Sequence, residues 1–312
     1  MKTMKRTAKL TDVRQSMCSF FTMSKPLAII IAALMIACMP ALRAADVTVV
    51  PTALIQPKRV QVPSAVMKRD IPASVTLPKG YEQSGLSYPV LYLLHGAGDD
   101  EMVWCNRTPV QELANTYGII VVTPSASTSW YFDSPIDKNF QFETFTAKEL
   151  VNYMDVHYRT VPRREGRAIA GNSMGGHGAM FLGIRHTNTF SAVAPMSGGM
   201  DIRTGSFPNN WNIKDRLGPI ESNRARWDEL TVMNQTEHLK PGDLAISIDC
   251  GTRDFFLDVN RQLHAKLTAR GIAHAYAEFP GEHSWDYWKD SLRRQMAFLD
   301  RHFRKTGASV KR

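Results

Sequence analysis

The chain has 312 residues, 44% of them hydrophobic, which is enough to bury one large core, and α/β folds of this length are routinely single domains. Its formal charge of +9 would suit a nucleic acid or a membrane surface. Residues 1–44, however, carry seven cations (Lys2, Lys5, Arg6, Lys9, Arg14, Lys25, Arg43) against Asp12, which leaves +3 for the rest and removes the case for a nucleic-acid partner.

Basic residues precede an uninterrupted apolar run of 11 residues, Leu27–Ala37, too short to span a bilayer comfortably. Leu42-Arg43-Ala44 ends on a small residue, so residues 1–44 read as a secretory signal cleaved after Ala44, with Met23-Ser24-Lys25-Pro26 as an alternative start. The expected mature chain, 45–312, is one domain, periplasmic or secreted. Two alternatives stay open: a surface lipoprotein acylated on Cys38, and a short uncleaved membrane anchor. Cys105 and Cys250 remain after cleavage; export permits a disulfide, but two distant cysteines do not specify one, and two buried thiols are the plainer reading. No His/Cys spacing suits zinc, and neither G-x-x-x-x-G-K-[ST] nor a dinucleotide fingerprint occurs, so no metal or cofactor is expected.

Val47–Leu54 and Ala65–Leu77 read as two early strands, and Pro72 in the second suits a sheet edge. Tyr88–Leu94 is a near-continuous apolar run, as a parallel strand covered on both faces requires. Arg107–Tyr117 has helical spacing (Val110, Leu113, Ala114, Tyr117), and Gly118 ends it. Ile119–Thr123 is the next strand. Trp130-Tyr131-Phe132-Asp133-Ser134-Pro135 follows its carboxyl end, the ligand side of an open α/β sheet. Phe142–Tyr158 is an amphipathic helix, with Phe145, Leu150, Val151 and Met154 apolar.

Arg167–Ala170 is a short buried strand, followed by Gly171-Asn172-Ser173-Met174-Gly175 and a helix opened by small residues, Gly176–Gly183. Ser191–Met196 is a strand. The polar stretch 198–230, with Trp211 and Trp227, reads as a cap or pocket wall. The strand Asp243–Ile248 breaks at Cys250-Gly251-Thr252-Arg253-Asp254, and a helix follows from Phe255 to Arg270. The strand Ala273–Phe279 leads into Pro280-Gly281-Glu282-His283. A last helix repeats Trp285, Trp288, Leu292, Met296, Leu299 and Phe303 at steps of three or four. Strands alternating with helices imply a mostly parallel sheet with helices on both faces.

A G-x-S-x-G between a strand and a helix resembles the nucleophile elbow of α/β-hydrolases, a turn so tight that only glycine fits beside the serine. In that fold the triad runs Ser, acid, His along the chain. Asp254, in a loop beyond a strand's carboxyl end, is the expected acid; Asp249, still at the strand end, is its rival. His283 lies in a polar loop and is the expected base, whereas His264 falls in a helix, His274 in a strand, and His177 and His186 flank the elbow helix. The N–H of Met174, at the start of that helix, would be one oxyanion donor.

Leu94-His95-Gly96-Ala97-Gly98-Asp99, Gly171-Asn172-Ser173-Met174-Gly175-Gly176-His177-Gly178-Ala179 and His283-Ser284-Trp285-Asp286-Tyr287-Trp288 together resemble the esterase D-like, carbohydrate esterase family 1-like α/β-hydrolases. That family holds S-formylglutathione hydrolases, feruloyl and acetyl-xylan esterases, tributyrin esterases and mycolyl-transferase antigens, and the similarity runs from about Val66 to Phe303. It implies a Ser173–Asp254–His283 triad, a second oxyanion donor at the N–H of Ala97, and no cofactor. Asn172 stands where the glutathione-ester branch carries His, and Cys105 comes later than that branch's Cys.

With export, the resemblance implies a serine carboxylesterase acting on acetyl or feruloyl esters of plant polysaccharide. The alternatives are a generalist short-chain esterase and an S-formylglutathione-type thioesterase. Trp130, Trp211 and Trp227 are candidates to stack on a sugar ring or phenolic acyl group, or merely to anchor their loops. A binding protein that kept only the fold is disfavoured by the intact Ser, Asp and His.

Overall fold

The computed structural model describes residues 57–205 and 207–310. The signal segment, Cys38 and the expected strand Val47–Leu54 lie outside them. The described residues form one sheet of strands β1 (Lys58–Ser64), β2 (Arg69–Thr76), β3 (Val90–Leu94), β4 (Ile120–Pro124), β5 (Arg167–Asn172), β6 (Ala192–Met196), β7 (Ala245–Gly251) and β8 (Ala275–Phe279). Its order is β1-β2-β4-β3-β5-β6-β7-β8, antiparallel at β1–β2 and β2–β4 and parallel from β4 to β8. The principal helices are α1 (Val110–Tyr117), α2 (Leu150–His157), α3 (Met174–Arg185), α4 (Ile220–Leu230), α5 (Leu257–Ala269) and α6 (Trp285–Lys305). This is the α/β-hydrolase fold, and no helix among the described residues is long and apolar enough to cross a membrane.

The central strands β3 to β6 are buried on both faces, and the apolar runs of β3 and β4 divide their side chains between two cores. Val90, Tyr92, Leu94, Ile120 and Val122 pack with Leu150 and Met154 of α2 and Met180 and Leu182 of α3. Leu91, Leu93 and Val121 face the other way, against Val110 and Leu113 of α1 and Leu292, Met296, Leu299 and Phe303 of α6. Ala168, Ala170, Ala192 and Ala194 line this second face, so small side chains let α6 lie close across β5 and β6. The helical stripe seen in the α6 sequence is the stripe it buries.

Two early expectations are corrected. Residues 65–68 form a turn rather than strand, with Lys68 in the left-handed region (φ 52°), and β2 pairs back on β1, a strand not among the expected elements. Pro72 is not on an edge strand, since β2 lies between β1 and β4. The Pro72 carbonyl accepts from the Ser125 N–H (2.8 Å), so its nitrogen also faces the β4 side, just where that strand ends at Pro124. The missing donor therefore breaks no bond with β1. β7 also runs further than expected, through Asp249 and Cys250 to Gly251. The expected helix 142–158 carries one π-helical turn, Phe145–Glu149, ahead of α2.

The topology sets the site. The chain moves from β3 out to β4, then crosses back over β3 to β5. The crossover direction reverses there, which in an open α/β sheet marks the ligand side as the space beyond the carboxyl ends of β3 and β5. The loop His95–Asp99 and the turn at Ser173 both emerge into it.

Candidate active site

Ser173 sits between β5 and α3 with φ 55° and ψ −117°, a conformation strained for any residue with a side chain. It persists because its surroundings fix it: the Ser173 N–H donates to the Met196 carbonyl (3.0 Å), and the Ser173 carbonyl accepts from the His177 N–H (3.0 Å). The flanking glycines are demanded by contact. A Cβ on Gly175 would lie 2.4 Å from the Leu94 carbonyl oxygen, and one on Gly171 would lie 2.6 Å from that same oxygen and from the Gly175 backbone. The end of β3 presses against the turn and leaves room for hydrogen only.

His283 and Asp254 come from two loops bound to each other by backbone. The Thr252 N–H donates to the Phe279 carbonyl and the Arg253 N–H to the Gly281 carbonyl, each at 2.8 Å, so the loops after β7 and β8 hold one register. His283 Nδ1 lies 2.9 Å from both carboxylate oxygens of Asp254, and Nε2 lies 2.9 Å from Ser173 Oγ. A carboxylate only accepts, so Nδ1 carries the proton and Nε2 is free to accept from the serine hydroxyl. The Asp254 side chain is fully buried, and its Oδ1 also accepts from the Phe256 N–H at 2.8 Å.

Asp249, the rival acid, is only 2% exposed and points elsewhere. It accepts from Tyr287 Oη, and from Arg294 at 2.7 Å (Nε) and 3.2 Å (Nη2).

The loop after β3 lies against the nucleophile, since a Cβ on Gly96 would be 3.6 Å from Ser173 Cβ. Fully buried His95 shapes this loop. Its Nδ1 lies 2.7 Å from the Gly96 carbonyl, and its Nε2 accepts from the Ala126 N–H at 2.8 Å, which assigns the proton to Nδ1. Burial pulls the ring's pKa down to about 4, so it stays neutral in this role. Ala97 follows Gly96 and is half-buried, and the N–H of Met174, in the first turn of α3, has no intrahelical partner.

Trp130 is 1% exposed and packs edge-on against His177 and Phe207; Trp227 is fully buried and donates Nε1–H to the Gly218 carbonyl at 3.0 Å. Neither offers surface to a ligand, because each anchors its segment to the core. Trp211 is half-buried. Segment 198–230 folds back over the loop after β4: the Trp130 Nε1–H donates to the Trp211 carbonyl (3.0 Å), and the Ser134 hydroxyl to the Arg216 carbonyl (2.7 Å). Phe255 was missed. It lies over the His283 ring with centroids 4.1 Å apart, while Phe256 and Trp288 meet the same ring edge-on at 5.0 and 4.8 Å. Its only sequence signal was an apolar residue directly after the acid. Cys105 and Cys250 are both free thiols.

A serine hydroxyl bonded to an imidazole that is bonded to a buried carboxylate, at a strained strand-to-helix turn, defines the serine-hydrolase class. Residues 64–299 match the family model described as "Putative esterase", and the chain belongs to that esterase family. An acetyl esterase of Caldicellulosiruptor saccharolyticus is 28% identical over 64% of this chain and 78% of its own length. The diacylglycerol acyltransferase/mycolyltransferase Ag85A of Mycobacterium leprae is 30% identical over 74% of this chain and 79% of its own. Among solved structures, a ferulic acid esterase superposes with a TM-score of 0.66 at 32% identity, over 79% of this chain and 99% of its own. The protein is a serine hydrolase acting on carboxylic esters.

Proposed function

We propose that this chain is an exported carboxylesterase that removes acetyl or feruloyl groups from plant polysaccharide through an acyl-enzyme on Ser173. The observation that carries the chemistry is the unbroken run from Asp254 through His283 to Ser173 Oγ, each step 2.9 Å. An unassisted serine hydroxyl is a poor nucleophile near neutral pH. In this reading Nε2 of His283 takes its proton as Oγ attacks the ester carbonyl, and Asp254 holds the tautomer and stabilises the imidazolium that forms. The carbonyl oxygen turns negative between the N–H groups of Met174 and Ala97; each such donor is worth on the order of 3 kcal/mol of barrier.

His283 then returns the proton to the departing alcohol, and water attacks the acyl-enzyme by the same route. Export, read from residues 1–44, supports an extracellular substrate. Similarity to an acetyl esterase and a ferulic acid esterase supports these acyl groups.

The test is a substrate panel for protein starting at Ala45: acetylated xylan, methyl ferulate, p-nitrophenyl acetate and butyrate, and S-formylglutathione. The expected result is the highest kcat/KM on a feruloyl or acetyl-polysaccharide ester. Activity confined to small acyl esters would replace this reading with a generalist esterase, and preference for S-formylglutathione with a thioesterase. Mature protein from the native host is expected to begin near Ala45; an intact cytoplasmic N-terminus would remove the case for export.

A further inference from the structure

We propose that Phe255 and Trp211 form the subsite for the alcohol half of the ester, and that the alcohol it receives is a sugar ring. The inference rests on the roles just given to Ser173 and His283. The imidazole that takes the serine proton must hand it to the departing oxygen, so that oxygen sits within hydrogen-bond reach of Nε2 during acylation. Whatever lies over the imidazole therefore faces the alcohol and not the acyl chain. In this molecule that group is Phe255.

Phe255 is out of place for a packing residue. It is 62% exposed, whereas Phe256 beside it is 4% exposed. The indole of Trp211 lies nearly parallel to the Phe255 ring, 8° between planes and 6.1 Å between centroids, so the two make a stepped flat surface. The step is rigid. Trp211 and Asn212 both take left-handed backbone (φ 52° and 60°), ordinary for the asparagine but a strain of about 1–3 kcal/mol for the bulky Trp211 that the fold holds in place. The Trp211 carbonyl is pinned from below by the Nε1–H of buried Trp130 at 3.0 Å. Aromatic rings fixed before binding lose little freedom when a ligand stacks on them.

The openness of the platform selects the ligand. An alkyl alcohol gains little from a surface that covers one side only and leaves the other in water. A furanose or pyranose ring has an apolar C–H face for the aromatic step and hydroxyls that stay hydrated on the other side. The rim is polar to match, with the exposed Arg253–Glu282 ion pair (3.2 Å) next in sequence to the Phe255 and His283 loops.

The experiment holds the acyl group constant and varies the alcohol: methyl ferulate against feruloyl-arabinofuranose, and methyl acetate against acetylated xylobiose. Both esters of a pair give the same acyl-enzyme, so the ratio of their kcat/KM values reports the alcohol side alone. Any unfolded fraction of a variant cancels from it. The wild type is expected to favour the sugar ester, and Trp211→Leu and Phe255→Leu to lower the sugar-to-methyl ratio by roughly tenfold or more. Leucine at 255 still covers His283 but cannot present a flat ring.

A ratio unchanged in both variants would overturn the platform while leaving the polysaccharide reading intact. So would a change seen only when the acyl group varies at fixed methanol, because the rings would then belong to the acyl pocket. A wild type that cleaves the methyl esters but neither sugar ester would overturn both.

Discussion

Asp249 and Asp254 show how two carboxylates on one strand and its loop can do different work. Asp254 faces the imidazole; Asp249 is held by Tyr287 and Arg294. Asp254→Asn is expected to lower kcat on the order of 10³–10⁴-fold with little change in Tm, because the ring would lose the partner that fixes its tautomer. Asp249→Asn is expected to do the reverse. It leaves Arg294 short of its counter-charge at a cost on the order of 2 kcal/mol, less than for a fully buried pair because Arg294 is part exposed, while kcat at low temperature stays near wild type. Measuring kcat and Tm for both variants decides it, and the opposite order would move the acid to Asp249. Ser173 and His283 were legible because the motif and the loop positions are local in sequence. Phe255 was not, because its exposure and its place over His283 depend on the packing of two loops that no spacing rule encodes. For the same reason, burial of Trp130 and Trp227 was hidden from a reading that saw only aromatics in polar segments.

Among the elements, the turn at Ser173 trades stability for geometry. Glycine tolerates φ 55° and ψ −117° where serine or alanine does not, so both Ser173→Gly and Ser173→Ala are expected to be inactive, with the glycine variant more stable by about 1 kcal/mol despite its more flexible unfolded chain. Urea titration of the two proteins measures the difference, and a less stable glycine variant would show that the turn holds no strain. Strand and helix identities were readable where a single pattern ran long, as in β3 and α6. The β1–β2 hairpin was misread because its turn, residues 65–68, carries no glycine, asparagine or aspartate to mark it. Pro72 was misassigned because sequence shows that a proline lacks a donor but not which way the absent donor would have pointed.

At the scale of the whole molecule, alternating βα segments disclosed the sheet and its two covered faces, but not that β3 would lie between β4 and β5, which long-range pairing decides. Two buried imidazoles tie the fold to pH. Burial depresses His95 to about 4 and His177 to about 3, from an ordinary value of 6.5. Below pH 6.5 the unfolded chain takes up a proton at each position that the folded chain refuses, so stability is full above that pH and is lost as pH falls through it. The expected slope is about 1.4 kcal/mol per pH unit for each histidine. Denaturation at pH 7.5, 6 and 5 measures it, before most carboxylates titrate, and a flat profile between pH 6.5 and 5 would show that neither ring is held neutral by the fold.

The indoles that frame the base also make it optically visible. Trp288 meets His283 edge-on at 4.8 Å, Trp285 meets Trp288 at 5.2 Å, and Trp104 meets Trp285 at 4.9 Å. A protonated imidazole accepts an electron from an excited indole and quenches its emission, whereas a neutral one does so far less. An inhibitor that forms a stable tetrahedral adduct on Ser173 leaves the serine proton on His283, and is therefore expected to dim the tryptophan fluorescence in one step. Trp130, the partner of His177, stays bright because burial holds that ring neutral. A His283→Gln variant that kept the step would assign the signal elsewhere. If the variant loses it, the protonation state of the base can be followed by light alone, with no substrate in the cuvette.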